Sequence, residues 1–309
     1  MAVAAAARSA GHRGRLSKAR REEVSAGLLF ASPWLLNLVA LTAYPVLAAI
    51  FYSFTEYTIL RPPRFVGLAN YIAMFTKDHL YWKTVYNTLY YSVFSVPLGL
   101  ALALFLAIFL NQDIKGLAFF RTTFYLPSIV PTVCASMLWL WILNPKYGLI
   151  NYLLGQIGLK PVPWLSSPTW SKPAFILMSL WGIGPATVIF LAALQEIPQH
   201  LYEAARIDGA NPWASFRNIT IPMLSPIVLF NLINGVIGSL QIFTQVYIIS
   251  SGGPLDSTRF YVLYLYQNAF NYFKMGYASA LALILFLAIL LLTLVILRTS
   301  GSWVYYGGE

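Results

Sequence analysis

Six apolar runs alternate along the chain with shorter polar stretches, covering about residues 26–54, 84–110, 119–143, 172–194, 222–250 and 277–297. At about 1.5 Å of rise per residue, each can cross roughly 30 Å of hydrocarbon as a helix. The pattern predicts an all-α integral membrane protein with six transmembrane helices. Pro97, Pro127, Pro131, Pro185 and Pro226 fall in or near these runs. Neighbouring helices can satisfy the carbonyls that a proline frees, so each is a candidate kink in a bundle.

Composition agrees with a membrane chain: of 309 residues, 59% are hydrophobic and 10% charged, against about 25% charged in soluble domains. The interiors of the runs are essentially free of charge, which argues against an ion-coupled secondary carrier, whose pathway would carry ionisable groups. The polar residues inside are neutral: Ser179, Asn231, Asn234, Ser239, Gln241, Thr244 and Gln245. Gln241 and Gln245 are four apart, and Gly238 and Asn234 continue the same helical stripe. Such a stripe is either interhelical packing or the lining of a path for a hydroxyl-rich solute, to which an amide offers both donors and an acceptor.

Charge sets the orientation. Arg8, Arg13, Arg15, Lys18, Arg20 and Arg21 crowd the N-terminal segment, which the positive-inside rule places in the cytoplasm. Six spans return the C-terminus to the same side. The expected organisation is a basic cytoplasmic tail over 1–25, a six-helix transmembrane bundle over 26–297 and a cytoplasmic tail over 298–309. No small-residue cleavage site closes the basic segment, so it reads as uncleaved. The net charge of +10 is otherwise scattered, which does not suit nucleic acid.

Catalytic and cofactor signatures are missing. There is no phosphate-binding GxxxxGK[ST], no HExxH and no GxSxG. The single cysteine, Cys134, offers no disulfide or cysteine metal site within one chain. An integral-membrane transferase would need paired carboxylates, whereas Glu56, Asp78, Asp113, Glu196 and Asp256 are dispersed. The chain is therefore expected to be non-catalytic, with no metal or cofactor of its own.

One polar island stands out between the fourth and fifth runs: "EAARIDGANPWASFRNITIP", Glu203 to Pro222, within a cytoplasmic loop over 195–222. Pro198 suits the first turn of a short helix, Leu201, Tyr202 and Ala205 give it an apolar side, and Gly209 ends it. Asn211 then reads as an N-cap with Pro212 following, and Trp213 and Phe216 share a face. Ala204 and Ala205 allow close approach, while Glu203, Arg206 and Asp208 offer charge partners. The local pattern is helix, sharp turn, helix: a docking knob.

The island resembles the "EAA" loop of ATP-binding-cassette importer permeases. Glu203, Ala204, Ala205, Gly209, Ile219 and Pro222 match its pattern, with Ile221 replacing a leucine. "FVGLANY", "FRTTFYLPSIVP", "LNPKYGLIN" and "MGYASALALILF" extend the likeness over roughly 26–297, and resemble the carbohydrate-uptake branch. The resemblance implies the type I importer permease (MetI-like) fold in a bacterial or archaeal plasma membrane. It also implies a second homologous permease, two ATPase subunits that hold ATP and magnesium, an extracytoplasmic solute-binding protein, and a sugar or polyol as solute. The Glu203 to Pro222 loop would be the coupling helix. Matching the branch's sugar-lining segments lands on Ser179, Ile183, Ala186, Ser239 and Ile242, while Thr244 stands where that branch often carries an aspartate.

Overall fold

The computed structural model describes residues 18–112 and 116–305. The basic residues Arg8, Arg13 and Arg15, and Asp113, lie outside the described residues. The chain divides into two compact units, residues 1–51 and 52–309. The first carries α1 (Lys18–Asn37), a π-helical segment over Leu38–Ala43, and most of α2 (Tyr44–Ser53). Helix thus begins ahead of the residue-26 boundary drawn from hydrophobicity, because helical propensity continues through the charged Lys18–Val24 stretch.

The second unit opens with an antiparallel hairpin, β1 (Thr55–Thr58) and β2 (Arg61–Phe65), pairing Thr55 with Phe65. The described residues are therefore not wholly α. Helices α3 (Ala69–Thr76) and α4 (His79–Leu110) follow, then α5 (Leu117–Ile129), α6 (Thr132–Ile142) and α7 (Leu149–Gln156). Next come α8 (Ser171–Trp181), α9 (Gly184–Glu196), α10 (Gln199–Ile207) and α11 (Pro212–Ser215). A second π-helical segment over Phe216–Thr220 leads into α12 (Ile221–Leu240), followed by α13 (Thr244–Ile249), α14 (Tyr261–Tyr266) and α15 (Met275–Ser300).

Among the described residues, four helical stretches are long and apolar enough to cross a membrane: Ser25–Ser53, His79–Leu110, Pro212–Ile249 and Met275–Ser300. Two further helix pairs are long and apolar enough only when taken together, and each is bent. α5 and α6 meet at 100°, and α8 and α9 at 46°. The first break sits where Pro131 forces Val130 out of the helical region (φ −68°, ψ 125°); the second follows Gly182 and precedes Pro185. Pro127, Pro131 and Pro185 mark these places as candidate kinks in the sequence, while apolar composition continues through both bends and does not show their size.

α4 is the central post, packed against α8, α9 and α12. Near its first half, Tyr91 joins a buried cluster with Trp139, Phe175, Val246 and Phe260. Near its end, Ala103, Ala107 and Leu110 join Phe190, Leu194 and Leu224. A third cluster packs Met74 and Tyr81 against Tyr261, Ala280 and Leu281. Much of the remaining apolar surface, Phe286, Leu291 and Leu294 of α15 among it, is exposed, as helices facing lipid require.

Candidate functional site: a mid-span cavity and a presented helical hairpin

Between the first two clusters, halfway along α4, lies a cavity of about 610 Å³. α4 lines it with Tyr91, Ser95 and Gly99; the break between α8 and α9 contributes Ser179, Gly182, Ile183 and Ala186; α12 and α13 contribute Asn231, Asn234, Ser239, Ile242 and Gln245. No Asp, Glu, Lys or Arg lines it. Ser92 and Ser239, whose hydroxyls lie 2.6 Å apart, fasten α4 to α12 beside it. The amides of Asn231 and Asn234 each donate back to their own helix, at 2.9 and 2.8 Å, to the carbonyls of Ile227 and Phe230. An amide tied through nitrogen keeps its oxygen as an acceptor. A wall of hydroxyls, amides and small apolar groups, with no formal charge, can hydrogen-bond a neutral hydroxyl-rich molecule.

The structure brings Ser179, Asn234, Ser239 and Gln245 together in this cavity, with Ile183, Ala186 and Ile242. It separates Gln241. α12 ends at Leu240, Gln241 caps it at φ −103°, Phe243 leaves the helical region at φ −141° and ψ −64°, and α13 restarts at Thr244. The continuous stripe expected from a spacing of four is therefore corrected: unwinding at 241–243 breaks the helical phase. Gln241 lies instead beside Val262, Leu265 and Phe286 of α14 and α15. Burial of Val246 in the Trp139–Phe260 cluster holds the chain in its broken course. Tyr91, Ser95 and Gly99 escaped notice in the sequence, because α4 also carries Thr84, Thr88, Tyr90 and Ser92, and which of its hydroxyls face the cavity is set by packing.

The polar island folds as its residues predict. α10 ends in a Schellman turn: Gly209 adopts φ +77°, its N–H bonds to the Arg206 carbonyl at 3.1 Å, and the Ala210 N–H bonds to the Ala205 carbonyl at 2.9 Å. Asn211 caps α11 by accepting from the Ala214 N–H at 2.8 Å, and the Trp213 and Phe216 rings lie 5.5 Å apart. Pro198 is the cap of α10 rather than its first-turn residue, with an extended ψ of 130°.

One face of the hairpin is anchored: Leu201, Tyr202 and Ile219 pack on the buried Leu194–Leu224 cluster. The other is presented. Glu203, Ala204, Arg206, Asp208 and Gly209 are exposed, Ala205 and Pro222 half-buried. Ile207 is 87% and Trp213 67% exposed, a large apolar cost for a loop that stays in water.

A third polar centre joins the elements around α4's start. Asp78 caps α4 by accepting from the Leu80 and Tyr81 N–H groups at 3.0 and 3.1 Å. Its other oxygen accepts from the hydroxyls of Tyr264, at 2.5 Å, and Tyr277. Burial, reinforced by the bond to Asp78, pushes the Tyr264 hydroxyl up to about 12.

This architecture has clear relatives. Residues 95–300 match the family described as binding-protein-dependent transport system inner membrane component. The chain belongs to this family. It is 43% identical to a probable ABC transporter permease, YesP, of Bacillus subtilis (strain 168), over 94% of this chain and 95% of that one. It is 33% identical to SmoG, a sulfoquinovosyl glycerol transport system permease of Agrobacterium fabrum, over 88% and 89% of the two chains. It is 34% identical to MalF, a trehalose/maltose transport system permease of Thermococcus litoralis, over 92% and 96%. The permease shares its fold with a crystal structure of a bacterial ABC transporter involved in alginate import, at a TM-score of 0.80 and 23% identity, over 91% of this chain and 98% of that one. It is a multi-pass membrane protein and a transport component, and its relatives carry the name of permease rather than of any enzyme.

Proposed function

We propose that this permease carries a sugar or polyol derivative through the 610 Å³ cavity, driven by ATPase subunits that grip the Glu203–Pro222 hairpin. In this reading six spans, counting each bent pair as one, place both termini in the cytoplasm, with the tails at 1–25 and 298–309 flanking the bundle. A second homologous permease completes the pore. Two ATPases bind ATP and magnesium below it, and a solute-binding protein docks outside on the segments 55–83, 144–171 and 251–276. The plasma membrane is that of a bacterium or an archaeon.

The observation that carries this reading is the pairing of a charge-free polar cavity at mid-span with a hairpin anchored on one face and exposed on the other. α12 runs from the hairpin to the cavity, so one rigid element touches both. Displacement of Glu203 or Gly209 by a closing ATPase dimer would move Asn231 and Asn234 with it, switching the cavity between two accessible states. The carbohydrate class rests on the names of relatives and on the neutral hydrogen-bonding wall.

The test is reconstitution of the permease with its partner permease and ATPases in vesicles. Glu203→Lys and Gly209→Pro are expected to insert normally and abolish solute-stimulated uptake. Uptake at the wild-type rate in either variant, with the ATPase still bound, refutes the coupling role.

A further inference from the structure

Arg121 is a charge in the third span, and among the described residues it has no counter-ion. Its Nε is buried and makes no hydrogen bond in the structure; the ion pair among the described residues is Arg259 with Asp256. It lies in a groove of about 200 Å³ between α5 and α9, with Thr187, Leu191, Ala192 and Gln195 on the opposite side. The side chain as a whole is half-buried, so its cationic head faces the groove, and a cation with an unpaired buried N–H within an apolar span faces an anion or a polar cavity.

The groove has two unlike ends. Gly184 marks the tight one, where an added Cβ would stand 2.8 Å from the Phe124 carbonyl oxygen; α5 and α9 touch there. Arg121 and Gln195 mark the other, and they sit near helix ends: Arg121 in the second turn of α5, Gln195 one residue before α9 stops. Leu110, the last residue of α4, closes the same end. Three spans terminate there, so this end lies at the boundary between hydrocarbon and headgroups. Val188, Leu191 and Ala192 line the stretch between. The groove is thus cationic at headgroup depth and apolar beneath.

We propose that this groove holds an anionic phospholipid, its phosphate on Arg121 and Gln195 and the start of an acyl chain along Val188, Leu191 and Ala192. On the six-span topology proposed above, the headgroup belongs to the cytoplasmic leaflet, the leaflet on the side of the coupling hairpin. A guanidinium presents donors in a fork that matches phosphate oxygens, and basic pockets between spans are a known way to select anionic headgroups. Phosphatidylglycerol is the fitting chemistry.

The test uses the full chain in detergent, titrated separately with phosphatidylglycerol and phosphatidylcholine, with retained lipid counted by native mass spectrometry. Wild type is expected to prefer phosphatidylglycerol by about fivefold, one cation's worth near a membrane surface. Arg121→Gln removes the preference and Arg121→Lys keeps part of it. Ala192→Trp, which fills the groove and leaves Arg121 in place, lowers retention even if Arg121→Gln folds poorly.

Equal retention of both lipids by wild type overturns the proposal, as does an undiminished preference in a folded Arg121→Gln. Displacement of the lipid by excess inorganic phosphate would assign a free-anion site instead. Loss of the lipid on assembly with the second permease would assign the groove to a partner's carboxylate. Retention needs no transport, so failure of the coupling test above leaves this result standing, and the reverse holds equally.

Discussion

The Tyr202 hydroxyl lies 2.9 Å from the Thr220 Oγ1, joining α10, which presents Glu203, to the π-helical segment that feeds α12. Thr220 is buried and Glu203 exposed, so this bond ties the presented face of the hairpin to the element that reaches the cavity. A hydrogen bond of this kind contributes about 1 kcal/mol net. Tyr202→Phe is expected to insert and assemble normally while delivering less solute per ATP hydrolysed. Parallel measurement of uptake and hydrolysis in vesicles gives the ratio, and an unaltered ratio means the tie is dispensable.

The break at residues 241–243 separates two glutamines that share a face only on paper. Asn234→Ala and Gln245→Ala remove acceptors from the cavity wall, so both are expected to weaken solute transport by about fivefold to tenfold, the worth of roughly 1 kcal/mol or slightly more per lost hydrogen bond. Gln241→Ala, on the far side of the break, should leave solute preference unchanged. Competition uptake assays across a panel of sugars and polyols distinguish the three. A Gln241 effect as large as that of Gln245 would put the continuous stripe back.

Gly276, at the start of α15, meets the β1 backbone directly: a Cβ there would stand 1.9 Å from the Thr55 carbonyl oxygen. Backbone cannot yield as a flexible side chain can. Gly276→Ala is expected to destabilise the second unit by about 1–3 kcal/mol, the usual cost of overpacking. Gly238→Ala, with nothing within 4 Å of the added methyl, serves as the neutral control. Thermal melting in detergent reads the difference.

The Asp78 centre predicts a pH signature. Tyr264 ionises at about 12 in the folded chain, against about 10 for an unperturbed tyrosine. Its folded value is the raised one, so its contribution is complete below pH 10 and disappears as pH rises through about 12. Melting temperature is expected to be insensitive to this group from neutrality to pH 9 and to fall above pH 10. Tyr264→Phe should melt lower at neutral pH and show a shallower alkaline decline; parallel curves for the two proteins would remove Tyr264 as the cause.

The hairpin was legible in the sequence almost residue by residue, because its devices are local. Gly209 supplies a left-handed turn, Asn211 a cap, and Trp213 and Phe216 a shared face, each within four residues of what it acts on. The cavity was only half legible. Ser179, Asn234, Ser239 and Gln245 could be found as polar residues in apolar runs, but Tyr91 and Ser95 join them through packing of α4 against α8 and α12, which no local spacing encodes. Pro131 marked a candidate kink, but the size of the bend there and the break at 241–243 were hidden for a related reason. Hydrophobicity measures transfer to lipid, and it does not change where a helix bends.

The π-helical segment over Phe216–Thr220 closes each turn with one more residue than an α-helix would. Each residue of an α-helix advances the azimuth by about 100°, so this wide turn sets the angular register between the presented hairpin and the wall that α12 contributes to the cavity. Shortening it by one residue would leave both ends chemically intact, yet swing Asn231 and Asn234 away from the cavity. On the coupling proposed above, the segment would serve as a clutch plate: the same composition on either side would engage or slip according to one residue of length.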